Sequence, residues 1–278
     1  MINQTIIEPG GKRKNYWSDL WKFKGLFYYL AWRDVLIRYK QAVIGIAWSA
    51  IKPLLTIIIF AAVGKLLHTT VPPGVPRLMF VCIAVLPWQF FSTAFSESSN
   101  SLLANSNLLT KVYFPRLILP ASTIIVSLID FLTSLGLLFL FMIYYRYIPS
   151  WNMLLLPIFL LQATMISMGG GIYIAALNVK YRDFKFIVPF IVQFGLYISP
   201  VYFSSDYIYQ STKPEAIKLI YSLNPMVGVI DGFRWCILGV KTNLYIPGFL
   251  LSIVLSILFL IFGIRYFRKV EKSFADII

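Results

Sequence analysis

The sequence predicts an all-α, polytopic membrane protein in which six transmembrane helices follow one N-terminal interfacial helix. Three observations predict it. Of the 278 residues, 59% are hydrophobic and only 13% are charged, and the mean hydropathy is +0.76. A soluble domain of this length carries far more charge on its surface. The apolar residues gather into runs close to or above the roughly 20 residues that carry a helix across a hydrocarbon core. Lys and Arg collect between alternate runs, as the positive-inside bias requires. That bias accounts for the formal net charge of +14, so nucleic acid is not expected as a partner.

Residues 1–16 read as a polar cytoplasmic tail without the apolar stretch of a cleavable signal. Residues 17–41 read as an interfacial helix and its lead-in to the membrane, being short, aromatic and charged. Within it, Trp32, Val35, Leu36 and Tyr39 recur on one side and Arg33, Asp34 and Arg38 on another. This pattern predicts cations turned toward lipid headgroups or a soluble partner.

The membrane domain is expected over 42–267, with spans at about 42–67, 78–96, 117–145, 152–177, 187–203 and 246–267, and a C-terminal cytoplasmic tail at 268–278. Pro- and Gly-rich turns separate the first spans. The third span is longer than one crossing requires, which predicts tilt or a protruding end. The run Met168-Gly169-Gly170-Gly171 in the fourth predicts close approach of a neighbouring helix. Between the fifth and sixth spans, 216–223 and 226–238 are apolar but too short to cross.

With six crossings both termini share a side. Seventeen of the 25 Lys and Arg residues fall on that side, seven on the other, and Lys52 within a span. The imbalance predicts cytoplasmic termini.

Motifs for catalysis are absent from the sequence. There is no GxxxxGK[ST] loop to cradle a nucleotide and no HExxH or paired-cysteine zinc pattern. The eleven acidic residues form no closely spaced pairs of the kind that hold a metal-bound sugar nucleotide, which argues against a membrane glycosyltransferase. No catalytic residue and no metal ligand is therefore assigned. Cys82 and Cys236 read as free thiols packed as small apolar groups, and His68 as an interfacial residue. Glu97 and Asp130 are costly so close to hydrocarbon. They admit two readings: an ion relay in a secondary transporter, or carboxylates paired at the headgroup zone and within the bundle. The second is favoured because a relay needs further carboxylates along its path.

Two short segments, 106–116 and 178–186, each place cations and an aromatic at a turn on the cytoplasmic side. With the cationic foot at 32–41 they read as docking elements for a soluble partner. A six-span chain with docking elements and no motor fits one half of an ATP-driven transporter.

Five stretches carry a resemblance: RDVLIRYKQAVIGIAWSAIKPLL (33–55), NLLTKVYFPRLILP (107–120), ALNVKYRDFKFIVPF (176–190), SPVYF (199–203) and NPMVGVIDGFRWCILG (224–239). Together and in this order they resemble ABC-2 type permeases, and among these the inner-membrane components that export lipid-linked polysaccharide, especially O-antigen. Lys52 before Pro53 departs from the usual neutral residue.

The resemblance implies a cytoplasmic gate helix at 17–31 and coupling helices around 107–116 and 178–186. Lys111, Tyr113, Arg116, Lys180, Tyr181, Arg182 and Asp183 would contact the ATPase there. It also implies short periplasmic re-entrant helices within 216–238. The assembly would be a homodimer on two copies of a separate ATPase subunit that carries ATP and Mg, with this chain holding no cofactor. The substrate would be undecaprenyl-diphosphate-linked O-antigen; capsular polysaccharide or teichoic acid is the near alternative. Sugar C–H faces stack on aromatic rings, which makes Trp88, Phe90, Phe91, Tyr197, Tyr202 and Phe203 candidates for the channel wall, or equally for interfacial belts. Arg33, Arg38 and Lys52 could attract the lipid diphosphate at the cytoplasmic entrance. They suit the ATPase or phospholipid headgroups equally, and Lys52 suits snorkelling best.

Overall fold

The computed structural model describes residues 16–40, 47–181, 183–209, 214–239, 242, 244–271 and 274. Among these residues there is no strand, and the all-α expectation holds. Five helices are long and apolar enough to cross a membrane: α3 (Ala47–Leu66), α4 (Arg77–Ala104), α6 (Ile118–Tyr144), the 3-10 turn and α7 taken together (Trp151–Lys180), and α12 (Ile246–Val270). Helices α1 (Tyr16–Lys22) and α2 (Lys24–Lys40) precede them. The short α5 (Ser106–Lys111) joins α4 to α6. The predicted fifth span is the 15-residue α8 (Phe184–Ile198), which at 1.5 Å per residue reaches about 22 Å. It stops before Pro200, whose ring disfavours helix in the residue ahead of it, and 199–203 continues without regular structure. The fragments α9 (Asp206–Tyr209), α10 (Glu215–Ser222) and α11 (Pro225–Leu238) precede α12, and the last two match the expected non-crossing apolar pieces.

Helix α4 is the axis of the bundle. Of its most apolar window 78% is buried inside the protein, against 22–39% for the other spanning helices. Its first turns, Met79 to Trp88, are buried on every side, as expected of a helix apolar all round. It packs on α3, α6, α7, α8 and α11.

The apolar pattern predicts that the second span ends at about residue 96. The helix instead continues to Ala104 and breaks at Asn105. The reason is local. Ser99 and Asn100 donate to the carbonyls of Phe95 and Ser96, while Ser101 and Asn105 donate to Ser98 and Ser101. Side chains that bond back to their own helix leave no polar cost in burying it.

Small residues set the closest helix contacts. A Cβ on Gly169 would stand 2.6 Å from the backbone nitrogen of Leu260 in α12, and one on Gly263 would run into the Gly169 carbonyl. Gly171 faces Ser98 of α4 and Gly170 faces the Phe95 ring, so the glycine run serves two neighbours at once. Gln162 donates to Ser252 and Ser256 at 2.7 and 3.3 Å, bonding α7 to α12. Polar groups bonded across tightly packed helices hold a bundle in a medium as apolar as the side chains themselves. A second apolar cluster closes the other end, where Tyr16, Leu30, Leu109, Phe114, Val179, Phe267 and Phe274 meet.

Gly263→Leu is expected to destabilise the bundle by about 3 kcal/mol through forced separation of α7 and α12. Thermal unfolding of the detergent-solubilised protein measures this; an unchanged melting temperature would remove the helix contact described.

Candidate functional site

Helix α2 is attached through its charges. The sequence pattern predicted its cations facing outward. Instead Trp32 and Leu36 are exposed, at 54% and 38%, while Ala31 and Val35 are buried and the charged side turns to the bundle. Arg38 lies 3.2 Å from Asp130 of α6 and 3.5 Å from Glu97 of α4. The Tyr39 hydroxyl donates to the other oxygen of Asp130 at 2.6 Å. Burial, then that bond, pushes the Tyr39 phenol above its ordinary range, so it remains a donor. The physical reason for the inversion is Asp130, a carboxylate in an otherwise apolar helix that requires donors. Asp130 and Glu97 thus share one cation, and no further carboxylate lines the pocket they flank.

A cleft opens beside this contact. Arg38 and Tyr39 of α2, Trp48 and Lys52 of α3, Phe90 of α4 and Asp130 of α6 are among its lining residues. Lys52 is exposed and, among the described residues, lies within ion-pair distance of no carboxylate. Arg38 and Lys52 are therefore brought together, and Arg33 is not with them. Arg33 donates to Asp34 at 2.7 Å and to the Asn105 side chain at 2.8 Å, at the α4–α5 break.

The six aromatic candidates divide. Trp88, Phe90 and Phe91 are 4%, 2% and 7% exposed. Phe90 packs edge-on to Phe131, and Trp88 supports α8, where a Cβ on Gly195 would lie 2.7 Å from its ring. Tyr197 and Tyr202 both meet Phe60 of α3, Tyr202 stacked at 5.9 Å, and Phe203 packs against Tyr202. Helix α8 buries only Val188 and presents Phe186, Phe190, Phe194 and Tyr197 outward.

The docking candidates gather at the end closed by the second apolar cluster, where Leu109 and Val179 both belong to it. Lys111, Tyr113, Lys180, Tyr181 and Asp183 are exposed there. Lys180 lies 5.1 Å over the Tyr181 ring. Arg116 is instead half-buried against Glu271. Arg182 lies outside the described residues.

At the opposite end the structure contains a feature that the sequence reading counted only as loop charge. Arg234 is 2% exposed and donates to the carbonyls of Phe203 at 3.0 Å and Val201 at 3.3 Å. Its guanidinium lies 3.9 Å over the Phe80 ring, with Asp231 3.9 Å away. Burial pushes the Asp231 carboxyl up to about 6, against the pull of Arg234, and Ser205 donates to it. Thr69, itself fixed by Arg77 at 2.7 Å, donates to the Tyr202 carbonyl at 3.3 Å. The irregular 199–205 segment is thus suspended by its backbone oxygens. An Asp and an Arg three residues apart inside an apolar half-length helix is the signal that could have revealed it. Nearer the surface, Glu215 accepts from Lys218 and Tyr245, which hold its carboxyl below the usual range.

The family model described as ABC-2 type transporter matches residues 25–238. Two proteins from Klebsiella pneumoniae, each named O-antigen export system permease protein RfbA, are 29% and 27% identical over 253 and 256 residues, with 88% of this chain and 92% of the relative covered in both cases. A protein of the same name from Myxococcus xanthus is 28% identical over 216 residues, 78% of this chain and 81% of the relative.

Replacing Arg234 by Met is expected to cost about 3–5 kcal/mol, because Asp231 is left buried without its cation. Replacing Arg234 and Asp231 together by apolar residues should recover part of that loss in thermal unfolding. A single variant as stable as the parent would sink the suspension described above.

Proposed function

We propose that this chain, which belongs to the ABC-2 type transporter family, is the permease subunit of an ATP-driven exporter that moves undecaprenyl-diphosphate-linked O-antigen polysaccharide across the bacterial inner membrane. The observation that carries the reading is similarity over nearly the whole length to three permeases named for O-antigen export. Two copies of the chain enclose the path, with both termini cytoplasmic, and two copies of a separate ATPase supply ATP and Mg.

The arrangement of exposed groups supports a docking role for one end. Lys111 and Tyr113 follow one span, Tyr181 and Asp183 follow another, and all four are exposed. ATP binding on the partner displaces these turns, and the bundle opens or closes the path in response. The exposed apolar face of α8 and the outward Leu55, Ile58 and Ile59 of α3 suit a surface covered by lipid or by the second copy. The cleft beside Arg38 and Lys52 supports an entrance for an anionic head group: Lys52 supplies a cation without a fixed carboxylate, whereas Arg38 is already neutralised. Phosphate recognition by a Lys point charge is common. The polymer then passes rings such as Tyr197, Tyr202 and Phe203, while α10 and α11 sit toward the outer leaflet.

An ion-coupled carrier using Glu97 and Asp130 is the competing reading, and their arrangement does not favour it. Its two carboxylates share Arg38 rather than forming a path. In vesicles holding this chain with its ATPase, polymer is expected to cross only when ATP is supplied. Transport by this chain alone, driven by an ion gradient, would overturn the proposal. Asp130→Asn should lower export by less than about threefold, the scale of a part-exposed ion pair. A loss of about a hundredfold, with ATP hydrolysis intact, would restore the ion-relay reading.

A further inference from the structure

The end of the bundle that carries α5 also holds the start of α1 and the end of α12, and one carboxylate joins them. Glu271, the residue after α12, accepts the Arg116 backbone N–H at 2.9 Å and the Tyr16 hydroxyl at 3.4 Å on the same oxygen. The Arg116 guanidinium donates to the Glu271 carbonyl and lies 5.7 Å over the Phe274 ring. Phe274 is fully buried and packs edge-on to Phe267 of α12. Arg268 lies 4.6 Å over the ring of Tyr16, which is 4% exposed.

The other end of α5 has a matching attachment. It begins at Asn105, whose side chain accepts from Arg33 of α2 at 2.8 Å. The segment from Asn105 to Arg116 is therefore gripped at both ends by α1–α2, through Arg33 at one and through Glu271 and Tyr16 at the other. A body held at one point can pivot; held at two, it follows any displacement of the segment between. The Arg33–Asn105 bond and the Arg116 backbone N–H to Glu271 are charge-assisted, and the longer Tyr16 contact is backed by burial of the Tyr16 ring under Arg268.

We propose that Glu271 is a positioning residue which, with Arg33, clamps α1–α2 to the 105–116 segment, so that a displacement imposed there by the ATPase is carried into α1–α2. The C-terminal end of α12 is then part of the transmission rather than a passive tail. The inference rests on the reading that 106–116 meets the ATPase.

The test uses the full chain with its ATPase in vesicles, with an environment-sensitive fluorophore at Trp21→Cys on α1. ATP is expected to change the fluorescence of the otherwise unaltered complex. Glu271→Ala should abolish that change and lower export by about tenfold, the size of an ordinary coupling free energy, while ATP hydrolysis and co-purification of the ATPase stay within about twofold. Arg33→Ala should act in the same way. Glu271→Gln keeps an acceptor oxygen and should restore both signal and export.

Three results would overturn the proposal: normal export by Glu271→Ala, a Gln variant as defective as Ala, or parallel loss of assembly, hydrolysis and export. No ATP-dependent signal at Trp21 would also overturn it. Failure of the underlying reading registers separately, because Lys111→Ala and Tyr113→Ala would then leave co-purification of the ATPase unchanged.

Discussion

A carboxylate within an apolar helix has to find donors, and most of the arrangement at one face of this protein follows from how Asp130 finds them. Its partners do not come from its own helix or from a neighbouring span. They come from Arg38 and Tyr39 of α2, so the helix that precedes the membrane domain is drawn against α6 with its charges inward. The same guanidinium reaches Glu97, and α4 is included in the contact. The outward face of α2 is left to Trp32 and Leu36, rings and branches that belong in lipid.

Elsewhere the bundle relies on closeness rather than charge. Lipid and leucine are equally apolar, so burial alone gives helices no reason to associate. Glycines let the α7 backbone approach α12 and α4, and buried Ser and Gln side chains supply bonds across or along the helices. Asn178 extends the pattern by donating to the Ser99 carbonyl at 2.8 Å. Helix α8 has little of this, resting on Trp88 through Gly195 with most of its surface outward.

The elements that depend on long apolar periodicity were legible in the sequence. Spans three, four and six began and ended within a few residues of expectation, and the two half-length pieces became α10 and α11. The misreadings have particular causes. The polarity of Ser99 to Ser101 resembles a loop because side chains that satisfy themselves on their own helix are indistinguishable, in composition, from side chains that need water. The amphipathic pattern of α2 groups Trp32, Val35, Leu36 and Tyr39, yet Val35 and Tyr39 turn inward while Trp32 and Leu36 turn out, because the helix's direction is set by an acid almost a hundred residues away. Arg234 reads as loop charge; its burial depends on Phe80 and on two backbone carbonyls, of Val201 and Phe203, that only the folded chain brings to it. The engagement of Arg116 with Glu271 is of another kind: it joins parts of the chain that only the folded structure brings together.

The suspension of 199–205 has a consequence for how such proteins diversify. Arg234 and Thr69 grip the carbonyls of Val201, Tyr202 and Phe203, atoms that every amino acid carries. The hold on the segment's backbone is therefore independent of which side chains these positions carry. Substitutions at 202 and 203 are thereby tested only against the packing of Tyr202 on Phe60 and of Phe203 on Tyr202, while the course of the backbone beneath them is held.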